Sequence, residues 1–460
     1  MTYEEARRRL REEDQEQLLR FWDRLDEAGR KRLLRQVGEI DFESVRGMRE
    51  VLRAAEGTGG PAPFEPAAAM TLGPDEAAAA HRAGEAELRA GRVGILLVAG
   101  GQGTRLGFDG PKGAFPIGPL SGDALFAVHA KKILAFERTY GAPIPWYIMT
   151  SQANDGPTRA FFAEHDHFGL DPERVLFFTQ GMWPALTPEG RIILDAPDHV
   201  FMAPDGHGGL LAALRDRGVL DDMERRGLRT VFYFQVDNPL VEIADPVFLG
   251  MHAERGADLS VKVCGKRDPE EGLGIVVQRE GRLAIVEYSE LTDEQMHARL
   301  PSGELKYNTG SVALHVFSYA FLRSEAHASM PLHIAHKKVP YCDEDGNTVK
   351  PEIPNAYKFE KFIFDVLPHA GRPLVLRFER EDEFSPVKNA EGNDSPATAR
   401  RDMMRKARRM LEAAGVAVPA DEDGTPVHTI EIDPLFARTA EELKAKLSAG
   451  FEVVGDTLLA

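Results

Sequence analysis

Residues 97–118 read LVAGGQGTRLGFDGPKGAFPIG. The apolar run Ile95-Leu96-Leu97-Val98 delivers the backbone into Gly100, Gly101 and Gly103, with Arg105 in the same turn and Lys112 just beyond Pro111. Glycines without a Cβ let backbone N–H groups close on phosphate oxygens. One arginine and one lysine add fixed positive charge to that anion site. A strand, a glycine turn and two cations predict a loop for a nucleoside triphosphate. A purely structural turn has no need of both cations. The spacing is not a dinucleotide fingerprint, because Gly101, Gly103 and Gly107 give G-x-G-x-x-x-G. It is not a Walker A loop, because Lys112 follows a proline.

Working outward, the chain alternates strand and helix from Val93 onward. Strands are expected at 94–98, 146–150, 175–179, 230–236 and 258–263. Helices are expected around 123–139, 155–166, 208–226 and 245–255. That alternation predicts an α/β fold with a Rossmann-like, mixed and mostly parallel sheet, helices on both faces. Residues 272–290 read as antiparallel strands around a turn at Arg279-Glu280-Gly281-Arg282. Residues 1–55 are charged and helical. Leu18, Trp22 and Leu25 recur at helical spacing, as do Leu33, Val37 and, approximately, Ile40, which fits amphipathic helices on a larger body. Gly57-Thr58-Gly59-Gly60-Pro61 and the stretch to Pro66 read as a linker, and a helix is expected over 74–90. After residue 400 come a helix to 414, a strand at 429–432 and a helix near 439–447. The expected division is a helical N-terminal region (1–90), a catalytic domain (91–400) and a small α+β C-terminal region (401–460).

The 460 residues suit one large domain with appendages, at about 150 residues per unit. A net charge of −17 argues against a broad nucleic-acid face but leaves room for a local basic pocket. The two cysteines, Cys264 and Cys342, form no C-x-x-C pair, so neither a zinc site nor a disulfide framework is expected. No apolar run is long enough for a membrane span and the first residues carry no export signal, so the expected compartment is the cytoplasm. The oligomeric state stays unassigned.

Ligands of open α/β sheets bind beyond the carboxyl ends of the strands, and polar residues recur there. Gln180 offers a donor and an acceptor, suiting the edge of uracil or another amide-like base. Residues 202–209, MAPDGHGG, open a helix with glycines that admit a ligand close to the backbone, and His207 has a donor for a hydroxyl or phosphate. Asp237 follows a buried strand, a place from which one carboxylate holds Mg²⁺ bridging phosphates. Gly274, Glu287 and Asn308 lie at strand ends beside aromatic residues, a composition that suits sugars. Lys388 stands in an acidic segment, FEREDEFSPVKNA, which by itself reads as a solvated ion pair. The histidines at 129, 165, 167, 333 and 336 read as surface or packing residues.

The ordered set LVAGGQGTRLG, PKG, MTS, QGM, MAPDGHGG, VDN, VEYSE, YNTG, EKFIFD and REDEFSPVKNA resembles the UDP-sugar pyrophosphorylases, most of all the eukaryotic-type UDP-N-acetylglucosamine branch. The resemblance runs from about residue 94 to 400. It implies a uridylyltransferase that joins UTP and a sugar 1-phosphate into UDP-sugar and pyrophosphate with Mg²⁺. It implies that Gly100, Gly101 and Arg105 hold the nucleotide, that Lys112 follows that loop, that Gln180 reads uracil and that Gly206 makes a backbone contact. Gly274, Glu287 and Asn308 match sugar contacts, and Lys388 matches a late lysine returned to the phosphates. His207 stands where N-acetylglucosamine enzymes usually carry an asparagine against the N-acetyl group, and a G-H-G pattern is more like the UDP-glucose branch. N-acetylglucosamine 1-phosphate and glucose 1-phosphate are therefore both carried forward. A non-catalytic sugar-nucleotide-binding protein is the reading from another class.

Overall fold

The computed structural model describes residues 1–55 and 63–460. The glycine-rich stretch expected to be a linker lies, over residues 57–61, outside the described residues. The chain divides into two compact units. One comprises Met1–Ala62, Gln180–Ala212 and Ala328–Asp365; the other comprises Pro63–Thr179, Ala213–His327 and Val366–Ala460.

The larger unit is built on a ten-stranded mixed sheet. Its central strand, Val93–Val98, pairs in parallel with Thr230–Gln235 on one side and Trp146–Thr150 on the other, and Val175–Thr179 extends the parallel part. The first three are buried almost throughout, as β-rich runs covered on both faces must be, while Val175–Thr179 at the end of the parallel part is partly exposed. Gly310–Ser318 then runs antiparallel to Thr230–Gln235, and Leu259–Cys264 runs antiparallel to Gly310–Ser318. The hairpin Ile275–Arg279 with Arg282–Val286 closes where expected. Glu280 and Gly281 both take positive φ, +50° and +76°, the pair that a two-residue hairpin turn requires. The α/β fold read from the sequence is the fold observed.

The helix Leu125–Tyr140 covers the sheet with Leu125, Phe126, Ile133 and Phe136, which join Ile95, Leu97, Trp146 and Phe234 in one core. The single helix expected over 208–226 is two, Leu210–Asp216 and Val219–Arg225, interrupted by Gly218 at φ +70°. The segment beyond Pro396 has its own core of Ala407, Leu411, Ile430 and Leu443. It is fastened within the same unit by Glu431, whose carboxylate accepts from the Leu120 and Ser121 amides at 2.7 and 2.8 Å.

In the smaller unit, Thr2 and Glu5 form a capping box that starts the helix Tyr3–Glu12. Leu10, Leu33, Val37, Val45 and Met48 pack with Leu186, Ile192, Val200 and Phe359. The Leu18, Trp22, Leu25 stripe is not an α-helix. It falls in two short 3₁₀ turns, Glu16–Leu19 and Trp22–Arg24. The reason is tertiary: the buried Gln15 side chain donates to the Gly190 carbonyl at 3.0 Å and accepts from the Ile192 amide at 2.8 Å. Those bonds hold the chain out of helical continuation. Among the described residues no helix is long and apolar enough to cross a membrane.

Candidate active site

The glycine loop begins where Val93–Val98 ends. Its residues hold one another: the Gly103 amide donates to Gly110 O at 2.9 Å and the Lys112 amide to Gly101 O at 3.1 Å. Asn154, fully buried at the end of the neighbouring strand, donates through Nδ2 to Ala99 O at 2.8 Å and Gly101 O at 3.2 Å. Its Oδ1 accepts from the Ser151 amide at 2.8 Å. One carboxamide thus fixes the loop to the next strand. Sequence reading missed Asn154, because a lone asparagine after a strand is indistinguishable from a helix cap. Arg105 is exposed and makes no ion pair or side-chain hydrogen bond among the described residues.

Lys112 and Asp237 do meet. Nζ lies 3.5 Å from Asp237 Oδ2, with both side chains mostly buried. Lys388 also comes back to this place. The Val387 amide donates to the Asp237 carbonyl at 2.8 Å, which sets Lys388 beside the strand end that carries Asp237. Its neighbours Glu383–Val387 are buried. Its ammonium lies 5.9 Å from the Phe384 ring centroid, a cation–π contact, and is in no ion pair among the described residues. A lysine that by itself reads as a solvated ion pair is in none here among the described residues, and it stands on a segment bonded to Asp237.

Gly274, Glu287 and Asn308 gather at one end of the antiparallel strands. Ile275 pairs with both Val286 and Gly310, so the residues just beyond them are neighbours. A Cβ on Gly274 would lie 3.0 Å from Glu287 Oε1. Asn308 Oδ1 accepts from the Lys266 amide at 2.7 Å, leaving its NH₂ as the donor not used there.

The remaining expected residues belong to the smaller unit. Gln180 is buried. Gly206 takes φ +82°, and a Cβ there would press within 2.5 Å of the Lys361 carbonyl oxygen, so only glycine fits. Asp205, 5% exposed, is a residue sequence reading passed over. Its Oδ1 has no hydrogen-bond partner among the described residues, and burial pushes its carboxyl up to about 6.

His207 opens the short helical turn His207–Gly209. The Ile363 amide donates to Nδ1 at 3.1 Å, so in the neutral ring the proton sits on Nε2. The imidazole stacks on Phe362, 5.2 Å between centroids at 18°, and lies near Phe364. Burial, with a contribution from His333, pushes its pKa down to about 4. His207 is a neutral ring with one N–H donor. Of the other histidines, His333 pairs with Asp365 at 2.8 Å, and His129 is buried with Nε2 3.0 Å from Val236 O.

Comparison with known proteins gives a consistent picture. A family model described as UTP–glucose-1-phosphate uridylyltransferase matches residues 70–436. The human UDP-N-acetylhexosamine pyrophosphorylase-like protein 1 is 41% identical, over 96% of this chain and 94% of its own. The UDP-N-acetylglucosamine pyrophosphorylase of Saccharomyces cerevisiae is 37% identical over 77% of this chain and 76% of its own. The crystal structure of the uridine diphosphate N-acetylglucosamine pyrophosphorylase of Trypanosoma brucei, in complex with an inhibitor, superposes with a TM-score of 0.81 at 28% identity. It covers 95% of this chain and 93% of that one.

Proposed function

The chain belongs to the UTP–glucose-1-phosphate uridylyltransferase family, and we propose that its own reaction transfers the uridylyl group of UTP to N-acetylglucosamine 1-phosphate. The observation that carries the chemistry is the convergence of Lys112, Asp237 and Lys388, spread over the sequence, on one strand end. A phosphate oxygen of the sugar bonds to the α-phosphorus. The bond to the bridging oxygen breaks, and its electron pair leaves with pyrophosphate. No covalent enzyme intermediate is needed. Catalysis comes from holding two anions in line and neutralising charge as it moves. Lys112 and Lys388 screen the attacking and α-phosphate oxygens. Arg105, exposed on the glycine loop, serves the leaving pyrophosphate. Gln180 and the backbone at Gly206 read the base, while Gly274, Glu287 and Asn308 hold sugar hydroxyls.

The donor set fits Mg²⁺ shared with phosphates. Asp237 offers one carboxylate, and among the described residues no group of three or more His, Cys, Asp or Glu is placed to hold a metal. Mg²⁺ takes one or two carboxylates and completes its shell with phosphate oxygens and water. When bound it supplies positive charge to the phosphates. The proposed compartment is the cytoplasm.

His207 is the observation that keeps glucose 1-phosphate as a second substrate. A neutral imidazole with one N–H donates to an N-acetyl carbonyl or to a 2-hydroxyl, but it is bulkier than a carboxamide. The experiment is pyrophosphate release from UTP with each sugar phosphate, with and without a chelator. The expected result is Mg²⁺-restored release with both, higher for N-acetylglucosamine 1-phosphate. Release with glucose 1-phosphate alone overturns the sugar assignment, and undiminished release in chelator overturns the metal.

A further inference from the structure

The segment Phe384–Val387, just before Lys388, is irregular and buried, so its backbone groups must find partners outside any ladder. Three of them find the dipeptide Asp237-Asn238. Asn238 Nδ2 donates to the Glu383 carbonyl at 2.6 Å, and its Oδ1 accepts from the Ser385 amide at 3.1 Å. The third is the bond from the Val387 amide to the Asp237 carbonyl, 2.8 Å. Oδ1 also accepts from the Leu240 amide at 3.3 Å, so the same carboxamide shapes the turn after Asp237. Asn238 is 3% exposed. Only a carboxamide has a donor and an acceptor at this reach: an ionised aspartate cannot donate, and leucine can do neither.

Other groups hold the segment from its far sides. Ser385 Oγ donates to Asp402 Oδ2 at 2.8 Å, and Lys406 Nζ donates to the Asp382 carbonyl at 2.8 Å. Lys262, 1% exposed, is held by Asp245 at 2.8 Å and by Glu383. These braces tie the segment to the body of the unit. At the strand end it is tied by the Asn238 carboxamide, at Glu383 and Ser385, and by the Asp237 carbonyl, at Val387.

We infer that Asn238 is a positioning residue for the proposed reaction: its carboxamide sets the register in which Lys388 stands beside Asp237. The inference rests on the role given to Lys388 above. Its loss leaves the strand, the outer braces and the single Val387–Asp237 backbone bond, removes two of the three bonds that set the segment at this strand end, and lets Lys388 shift; a displacement of about 1 Å at a reacting centre costs about 10²-fold in rate.

The test is steady-state kinetics of Asn238→Ala, Lys388→Ala and the double variant, with thermal melts alongside. Asn238→Ala is expected to lower kcat by about 10²-fold with a much smaller change in the KM for UTP. The double variant is expected to be no slower than Lys388→Ala, because two residues that act as one do not add. Independent, multiplied losses overturn the inference and leave the Lys388 reading intact. Native turnover in Lys388→Ala overturns that reading, and the inference with it.

Asn238→Asp decides the matter if the alanine variant does not fold. A carboxylate still accepts from the Ser385 and Leu240 amides but has no donor for the Glu383 carbonyl. At one fixed pH its kcat is expected to fall by about tenfold or more, with the KM for UTP little changed. Native kcat in folded Asn238→Asp overturns the inference.

Discussion

The two units hold their expected ligand residues in opposite ways. In the larger unit, Lys112, Asp237 and Lys388 are charged and are brought together by bonds that span much of the chain. In the smaller unit, Gly206 and His207 sit in one short loop, and the imidazole is uncharged, stacked on Phe362 and tied to the Ile363 amide. Charge acts over distance and must be aimed at a moving electron pair, so it is placed by long-range bracing. What His207 reads depends on shape and on which atom carries a hydrogen, so a rigid local loop suffices there, whereas the expected sugar contacts Gly274, Glu287 and Asn308 sit on strand ends of the larger unit. The difference predicts rate effects on one side and selectivity effects on the other.

The sharpest way to break the comparison is Lys388→Ala. Loss of a charge contact made in the transition state is expected to cut kcat by about 10²-fold or more, measured as pyrophosphate release at saturating UTP, with the preference among sugars unmoved. A shift in sugar preference with kcat intact would place Lys388 on the wrong side of the divide. Gln180→Ala comes next. A site that loses its hydrogen-bond partner for the base is expected to narrow the margin of UTP over CTP by about tenfold, read as a ratio of kcat/KM. Equal use of both triphosphates by the native protein would remove the base reading from Gln180.

His207→Asn is a smaller effect. The ratio of kcat/KM for N-acetylglucosamine 1-phosphate over glucose 1-phosphate is expected to rise about five- to tenfold, the range of a single pocket contact. Because burial holds the His207 pKa near 4, the native ratio is expected to be flat from about pH 5.5 upward. A native ratio that changes steeply near neutrality would mean a charged ring. The last test reads stability. The Asp205 carboxyl is raised to about 6 in the fold, so ionising it costs more there than in the unfolded chain. Below about pH 3 both states are protonated and nothing is lost. The cost grows as pH rises toward about 6, then stays constant, at about 3 kcal/mol at most. Asp205→Asn is therefore expected to raise the melting temperature above about pH 6 and leave it nearly unchanged at about pH 3. The opposite order would mean that the carboxylate is stabilised by a partner.

Much of the fold was legible because buried strands announce themselves. Trp146–Thr150 and Val175–Thr179 are continuous apolar runs, and their expected and observed limits coincide. The Leu18, Trp22, Leu25 stripe misled because periodicity records spacing but not the tertiary bond that Gln15 makes 175 residues away. The strand pair His333–Lys337 with Ala356–Glu360 went unseen: residues 333 and 336 read only as surface or packing histidines, and nothing local marks the strand on which His336 lies against Tyr357. At the site, residue types that carry charge or glycine were visible, since few other roles need them in that order. Asn154 and Asn238 were not seen. Their work is to bond backbone groups far along the chain, and nothing local distinguishes them from turn residues.

The placement of Lys388 has a consequence for how the protein is made. The last strand of the main sheet is Pro373–Arg377. A growing chain that has just finished it already owns every strand of that sheet, the glycine loop and Asp237, yet it has no lysine beyond them. On the proposed reading, such a chain holds the residues assigned to the triphosphate before the lysine assigned to the transfer. If Lys388 has the role proposed, turnover requires the next few residues to be added and folded back onto Asp237.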